Sequence, residues 1–131
     1  MSNSQARQPA ERILLVDDEI AILELLREIL EPDGYELATA RNGAEALEMV
    51  METDFDLIIT DFRMPKLSGK ALYDRARAEK PGIEKRFLFI SGEMDPEAKT
   101  QFIKETGVRI IAKPFRADKV RTEVRDVLDS L

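Results

Sequence analysis

The stretch Ile13-Leu14-Leu15-Val16-Asp17-Asp18-Glu19 decides the fold: four apolar residues run straight into three carboxylates. Three later stretches repeat the pattern. Leu57-Ile58-Ile59-Thr60 closes on Asp61, Phe87-Leu88-Phe89-Ile90 on Ser91, and Val108 to Ala112 on Lys113-Pro114. Short strands that are apolar throughout are those buried on both faces, as in parallel sheets. If the four runs are parallel, their polar residues all lie at carboxyl ends. That edge is where open α/β sheets place their ligands.

Working outward, strand-like and helix-like segments alternate five times. Residues 12–17 read as the first strand. Ile22, Leu23, Leu26, Ile29 and Leu30 then trace an apolar face of helical period, and Pro32-Asp33-Gly34 marks a turn. Residues 35–40 form the second strand. Asn42 is a candidate N-cap with Glu45 in the capping-box position, and the second helix runs to about Glu52. Residues 55–61 form the third strand. Ser68 caps a third helix carrying Ala71, Leu72 and Ala76, which Pro81-Gly82 breaks. Residues 86–91 form the fourth strand. Asp95-Pro96 offers an N-cap with proline at the first helical position, opening a helix with Ala98, Phe102 and Ile103 that stops at Gly107. Residues 108–113 form the fifth strand, and the last helix carries Val120, Val124, Val127, Leu128 and Leu131.

Five strand-helix units require a parallel sheet with helices on both faces. Right-handed crossovers leave few topologies. The expected fold is α/β, a flavodoxin-like three-layer (βα)5 sandwich with strand order 2-1-3-4-5. At 131 residues the chain suits one domain, taken as residues 11–131 behind a polar, patternless leader, 1–10, that reads as flexible.

Composition removes several chemistries. With no cysteine there is no disulfide or zinc-thiolate framework. With no histidine there is no Ser-His-Asp triad, no His-ligated metal and no phosphohistidine of its own. Net charge is −6, but it is uneven: 15 acidic and 4 basic residues through Asp61, then 11 acidic and 16 basic. The overall sign argues against direct nucleic-acid binding. The asymmetry fits solvated helix faces, or an acidic pocket near Asp17-Asp18 with a mixed docking face near Arg116, Lys119, Arg121 and Arg125. No apolar run approaches the ~18 residues of a membrane span, and no signal-peptide pattern precedes Glu11. A cytoplasmic protein without membrane contact is the expectation.

The strand-end residues define a chemistry. Adjacent carboxylates such as Asp17 and Asp18 repel unless something compensates. Either one caps the first helix and the other is solvated, or both serve Mg²⁺, which takes oxygen ligands and keeps several waters. Asp61 is either a turn residue or a carboxylate nucleophile that accepts a phosphoryl group. Ser91 either bonds its own backbone or donates to a phosphoryl oxygen. Lys113 is either solvated or a point-charge partner for phosphate, with Pro114 able to hold the preceding peptide in cis.

Together, Ile13-Leu-Leu-Val-Asp-Asp-Glu19, Asp61-Phe-Arg-Met-Pro65 followed by Ser68-Gly69, Ser91-Gly92 and Lys113-Pro-Phe115 resemble the receiver domain of bacterial two-component response regulators, over essentially all of residues 11–131. The Ser91-Gly92-Glu93 and Lys113-Pro-Phe-Arg116 stretches look like receivers attached to hybrid histidine kinases. The resemblance implies Asp61 as phosphoacceptor and Mg²⁺ held by Asp17, Asp18, Asp61 and the Arg63 backbone carbonyl. It implies Ser91 and Lys113 as ligands of the phosphoryl group. The donor would be a histidine kinase or histidine phosphotransfer protein. The domain would catalyse only its own phosphorylation and slow autodephosphorylation, so it is not otherwise an enzyme. Its output would be an unknown partner protein, bound through a face of the fourth helix, fifth strand and fifth helix that could also make it a weak dimer rather than a monomer. Lys104, Arg109, Arg116 and Lys119 are candidates for that surface.

Two positions depart from the pattern or vary within it. Ser91 and Ile110 form the expected switch pair, yet many receivers carry Tyr or Phe where Ile110 stands. Without a ring to turn inward, the switch is weaker or runs through the backbone of residues 91–97. Arg63 and Glu93 flank the phosphoryl site at variable positions. Two other classes compete. A Mg²⁺-dependent phosphatase with an aspartate nucleophile usually has a second acid two residues on, where this chain has Arg63. A phosphorylation-independent interaction module would not need all five polar residues.

Overall fold

Every strand of this protein follows a turn or loop and runs in one direction, because a helix intervenes each time to carry the chain back. The computed structural model describes residues 10–92 and 95–131. Residues 1–9 of the expected leader, and Glu93, lie outside the described residues. The strands are β1 (Arg12–Val16), β2 (Glu36–Ala40), β3 (Leu57–Asp61), β4 (Phe87–Ser91) and β5 (Arg109–Ala112). The helices are α1 (Ile20–Leu30), α2 (Gly43–Glu52), α3 (Gly69–Glu79), α4 (Pro96–Thr106) and α5 (Ala117–Asp129). Short 3-10 turns at Glu31–Asp33 and Ile83–Arg86 follow α1 and α3.

The sheet is parallel with order β2-β1-β3-β4-β5. This is the expected order and the flavodoxin-like three-layer sandwich. The central strands β1, β3 and β4 are buried from end to end apart from Arg12, while the edge strands β2 and β5 are half exposed. Each strand is a residue or two shorter than the apolar runs suggest. Phe55, Val108 and Lys113 lie beyond the paired segments: Phe55 and Val108 are buried in the core ahead of β3 and β5, and Lys113 turns its side chain toward Asp17 and Asp61.

Alternation along the strands separates two cores. Ile13, Leu15, Leu57, Ile59, Leu88 and Ile90 face α1 and α5 in an aliphatic layer. Leu14, Val16, Ile58, Phe87 and Phe89 face α2, α3 and α4 in a layer that also holds Tyr73 and Phe102. The aromatic rings pack mostly edge to face, with Phe102 5.3 Å from Phe62 and 5.2 Å from Phe89 between centroids. Such pairs contribute roughly 0.5–1.5 kcal/mol each beyond the area they bury.

The helix starts follow their sequence signals. The Asn42, Ser68 and Asp95 side chains accept from the N–H of the residue three positions on, Glu45, Ala71 and Ala98. The Glu45 carboxylate accepts instead from the Arg41 N–H, one residue before the cap, so the reciprocal half of the expected box is displaced. Gly107 ends α4 in the left-handed region at φ 74°. Two apolar assignments fail. α5 stops at Asp129, leaving Leu131 half exposed beyond it, and on α4 only Phe102 is buried while Ala98 and Ile103 face solvent. Helical period identifies a face, but the width of the covering neighbour decides how much of it is buried. Among the described residues no helix is long and apolar enough to cross a membrane.

Candidate functional site

At the carboxyl ends of β1, β3, β4 and β5 the chain leaves the ladder, and the polar residues that close each apolar run gather at one edge of the sheet. Asp17 follows β1 and is almost fully buried, Asp61 and Ser91 end β3 and β4 and are buried, and Asp18 is exposed beside them. One carboxylate oxygen from each of Asp17, Asp18 and Asp61 lies within 4.8 Å of the others. Lys113 reaches in from the end of β5. Its Nζ lies 3.2 Å from Asp17 Oδ2 and 3.2 Å from Asp61 Oδ2, with Glu19 Oε1 at 3.7 Å. The Lys113–Pro114 peptide is cis.

One ammonium therefore faces three carboxylates, with Asp18 beside two of them. Burial, with Asp61 adding to it, pushes the Asp17 carboxyl up to about 6, against the Glu19 N–H and Lys113, which favour its charged form. Burial acts to lower the Lys113 ammonium, but Asp17 and Asp61 more than offset it and the net shift is upward. The surplus of negative charge on oxygen ligands fits a hard divalent cation, which takes one or two carboxylates and completes its shell with water.

The backbone supports these positions. The Asp17 N–H donates to the Ala40 carbonyl at 3.2 Å, and Asp17 Oδ1 accepts the Glu19 N–H at 2.9 Å. Glu19, not an aspartate, is the N-cap residue of α1, and it makes no side-chain cap. The capping reading of Asp17-Asp18 is thus set aside. The Thr60 hydroxyl, fully buried, donates to the Asp61 carbonyl at 3.0 Å. Phe62 N–H donates to the Ile90 carbonyl at 3.0 Å, and Lys113 N–H to the Ser91 carbonyl at 2.8 Å. Asp61 sits opposite Ile90, and Ser91 opposite Ala112, so Asp61 and Ser91 end adjacent strands one step apart.

Asp17, Asp18, Asp61, Ser91 and Lys113 thus share one edge. Arg63 lies two residues past Asp61 with its side chain exposed. Ile110 stands apart from the carboxylates. It is half buried, opposite Phe89, against the aromatic layer. The expected basic docking surface is largely neutralised from within. Arg109 pairs with Glu123 and Asp126, Lys119 with Glu123, and Arg116 with Asp118. Arg121 reaches Asp33, and Arg125 grips Glu11 and Asp129. Sequence reasoning missed Glu19 as a neighbour of Lys113 and the contacts of Phe62, which joins Asp61 to α4 through Phe102. The run Asp17-Asp18-Glu19 signalled the first; no local pattern signals the second.

A family model described as "Response regulator receiver domain" matches residues 13–125. Among curated relatives, Sporulation initiation phosphotransferase F of Bacillus subtilis (strain 168) is 34% identical over 119 residues, covering 90% of this chain and 94% of that protein. Sensor histidine kinase TmoS of Ectopseudomonas mendocina is 30% identical over 95% of this chain, which spans only 12% of that kinase. The chain spans half the length of a third relative, Transcriptional regulatory protein DltR of Streptococcus agalactiae, at 30% identity over 87% of this chain. Among solved structures, a CheY-like response regulator receiver domain protein from Methanospirillum hungatei JF-1 superposes with a TM-score of 0.83 at 29% identity, covering 93% of this chain and 96% of that one. The signal receiver domain of a signal transduction histidine kinase from Syntrophus aciditrophicus gives 0.82 at 31% identity, covering 93% and 92%. With its strand order, its carboxylate edge and these matches in agreement, the chain belongs to the response regulator receiver domain family.

Proposed function

We propose that this receiver accepts a phosphoryl group on Asp61 from a phosphohistidine of a kinase or phosphotransfer protein, and that the modified edge changes what its α4-β5-α5 face binds. The observation that carries the reading is the juxtaposition of three carboxylates with a single lysine that touches both Asp17 and Asp61. Asp17, Asp18 and Asp61 would hold Mg²⁺, together with the Arg63 carbonyl that the family resemblance implies. When bound, the cation screens the carboxylates from an incoming anion and from one another.

The protein's own groups do the rest. An Asp61 carboxylate oxygen attacks phosphorus as the bond to the donor imidazole nitrogen breaks, and that electron pair returns to the ring. Lys113 pairs with the transferred group, and the Ser91 hydroxyl donates to one of its oxygens. Later, water attacks phosphorus, the bond to Asp61 breaks with its electron pair returning to the carboxylate, and inorganic phosphate leaves as the water's proton passes to solvent. The domain is therefore a substrate and a self-limiting catalyst rather than an enzyme on other molecules. A cytoplasmic setting, beside the kinase's ATP, is part of the same reading.

Incubation with Mg²⁺ and an acyl phosphate tests it by intact mass. The protein should gain one phosphoryl group, lose it on standing, and remain unmodified with a chelator. Asp61→Asn should not be modified; labelling of that variant at the same site sinks the assignment. Continuous release of phosphate from many substrates would indicate a phosphatase instead.

A further inference from the structure

Gly43, the first residue of α2, is buried, and its backbone is not left-handed. Conformational freedom therefore does not account for the glycine. Space does. A Cβ at this position would run into the carbonyl oxygen, carbonyl carbon and Cβ of Leu67. Leu67 belongs to the loop that leads from Asp61 to α3, so α2 is the surface on which that loop lies.

The same loop is pinned at its other end. The Gly69 N–H donates to the Phe62 carbonyl at 3.0 Å, and a Cβ on Gly69 would run into the Asp61 carbonyl oxygen. Between the two pins the chain turns sharply. Lys66 has φ 70°, and the Leu67 N–H donates to the Pro65 carbonyl at 2.8 Å. A three-residue turn of this sign is rare and strained in a residue other than glycine. A segment held in a costly conformation by contacts at both ends carries Arg63 within it and Asp61 at its root.

We propose that Gly43 is a positioning residue for the Asp61 site: the flat seat it provides on α2 sets the height of the Asp61–Ser68 loop and so the placement of its metal-facing backbone. The inference rests on the reading of Asp61 and its neighbours as a Mg²⁺-assisted phosphoacceptor site. Any side chain at residue 43 lifts the loop, because the nearest obstacle is backbone and cannot swing aside. The local effect has the opposite sign. Alanine favours a helix over glycine while the clash with Leu67 opposes that gain, so a purely structural role predicts that Gly43→Ala shifts only the melting temperature and leaves Mg²⁺ binding unchanged.

Calorimetric titration of the full chain with Mg²⁺, alongside circular dichroism, separates the two. Gly43→Ala should keep the native spectrum and bind Mg²⁺ roughly tenfold more weakly, the usual size of an outer-shell positioning effect. Its acyl phosphate labelling should slow in step at sub-saturating Mg²⁺. Ala44→Gly, at the exposed next position, should lower the melting temperature and leave Mg²⁺ affinity alone. A folded Gly43→Ala with wild-type Mg²⁺ affinity overturns the inference. If Gly43→Ala does not fold, Leu67→Gly loosens the same seat from the loop side and should also weaken Mg²⁺ binding; wild-type affinity there overturns it equally. A wild-type chain that neither binds Mg²⁺ nor labels would break the underlying reading, whereas a wild type that does both beside an unaffected Gly43→Ala breaks only this inference.

Discussion

The two ends of the sheet treat charge in opposite ways. At the amino ends of the strands, acids are matched by arginines. Asp56, before β3, lies 3.8 Å from the Arg86 guanidinium and also accepts the Arg12 backbone N–H at 2.8 Å. Glu11, before β1, receives both terminal nitrogens of Arg125 at 3.1 Å, and Arg109, at the start of β5, bridges Glu123 and Asp126. At the carboxyl ends, Asp17, Glu19 and Asp61 share Lys113, with Asp18 alongside. An end neutralised from within acts as scaffold. An end left with a surplus of negative charge on oxygen ligands fits a hard divalent cation.

The largest test of that contrast removes the one ammonium. Lys113→Ala should slow phosphoryl transfer from an acyl phosphate by roughly tenfold or more, the scale of a lost charge partner in transfer chemistry, while tightening Mg²⁺ binding because the lysine no longer competes for Asp17 and Asp61. Labelling at the wild-type rate would show that the cluster is not the reaction centre.

A second test uses Asp17 in the presence of chelator. Its folded pKa lies above the 3.8 of the free carboxyl, at about 6. The folded state holds this proton more tightly than the unfolded chain, so the group costs nothing below pH 4 and progressively destabilises the fold as pH rises through 6. Asp17→Asn removes that cost, keeps an acceptor for the Glu19 N–H and gives up the Lys113 pair. Denaturant melts should find it more stable than wild type by about 1–2 kcal/mol at pH 7, with the advantage vanishing near pH 4. A constant difference across that range would contradict the assignment.

Arg63 tests whether a cation just outside the cluster bears on it. Arg63→Ala should change the decay rate of the phosphorylated protein by more than about twofold; identical decay curves would sink the idea. The smallest effect belongs to the opposite end. Arg125→Ala breaks contacts to Glu11, Asp129 and the Tyr35 hydroxyl, yet exposed networks of this kind contribute only about 1 kcal/mol. Melting should drop slightly, and labelling and Mg²⁺ affinity should stay within about twofold of wild type. A large labelling defect would mean that the two ends are coupled.

Much of this was legible in the chain. Apolar runs that close on Asp17, Asp61, Ser91 and Lys113 mark strand ends, and Asn42, Ser68 and Asp95 mark helix starts, because both signals are local. Ile103 and Leu131 show the limit: their apolar character and spacing suit buried faces, but neither is covered. Phe62 is the converse, an apolar residue in a loop that becomes part of an aromatic layer with Phe89 and Phe102.

The sequence by itself determined the five strand-helix units, their parallel order and the list of polar residues delivered to one edge, since periodicity, caps and chain direction suffice for those. Only the tertiary structure decided how the edge is charged. Lys113 meets Asp17 across 96 residues and Asp61 across 52, Asp17 is buried while Asp18 is exposed, and α2 presses a glycine against the loop that follows Asp61. Burial and distance between remote segments set those properties, and no local pattern encodes either.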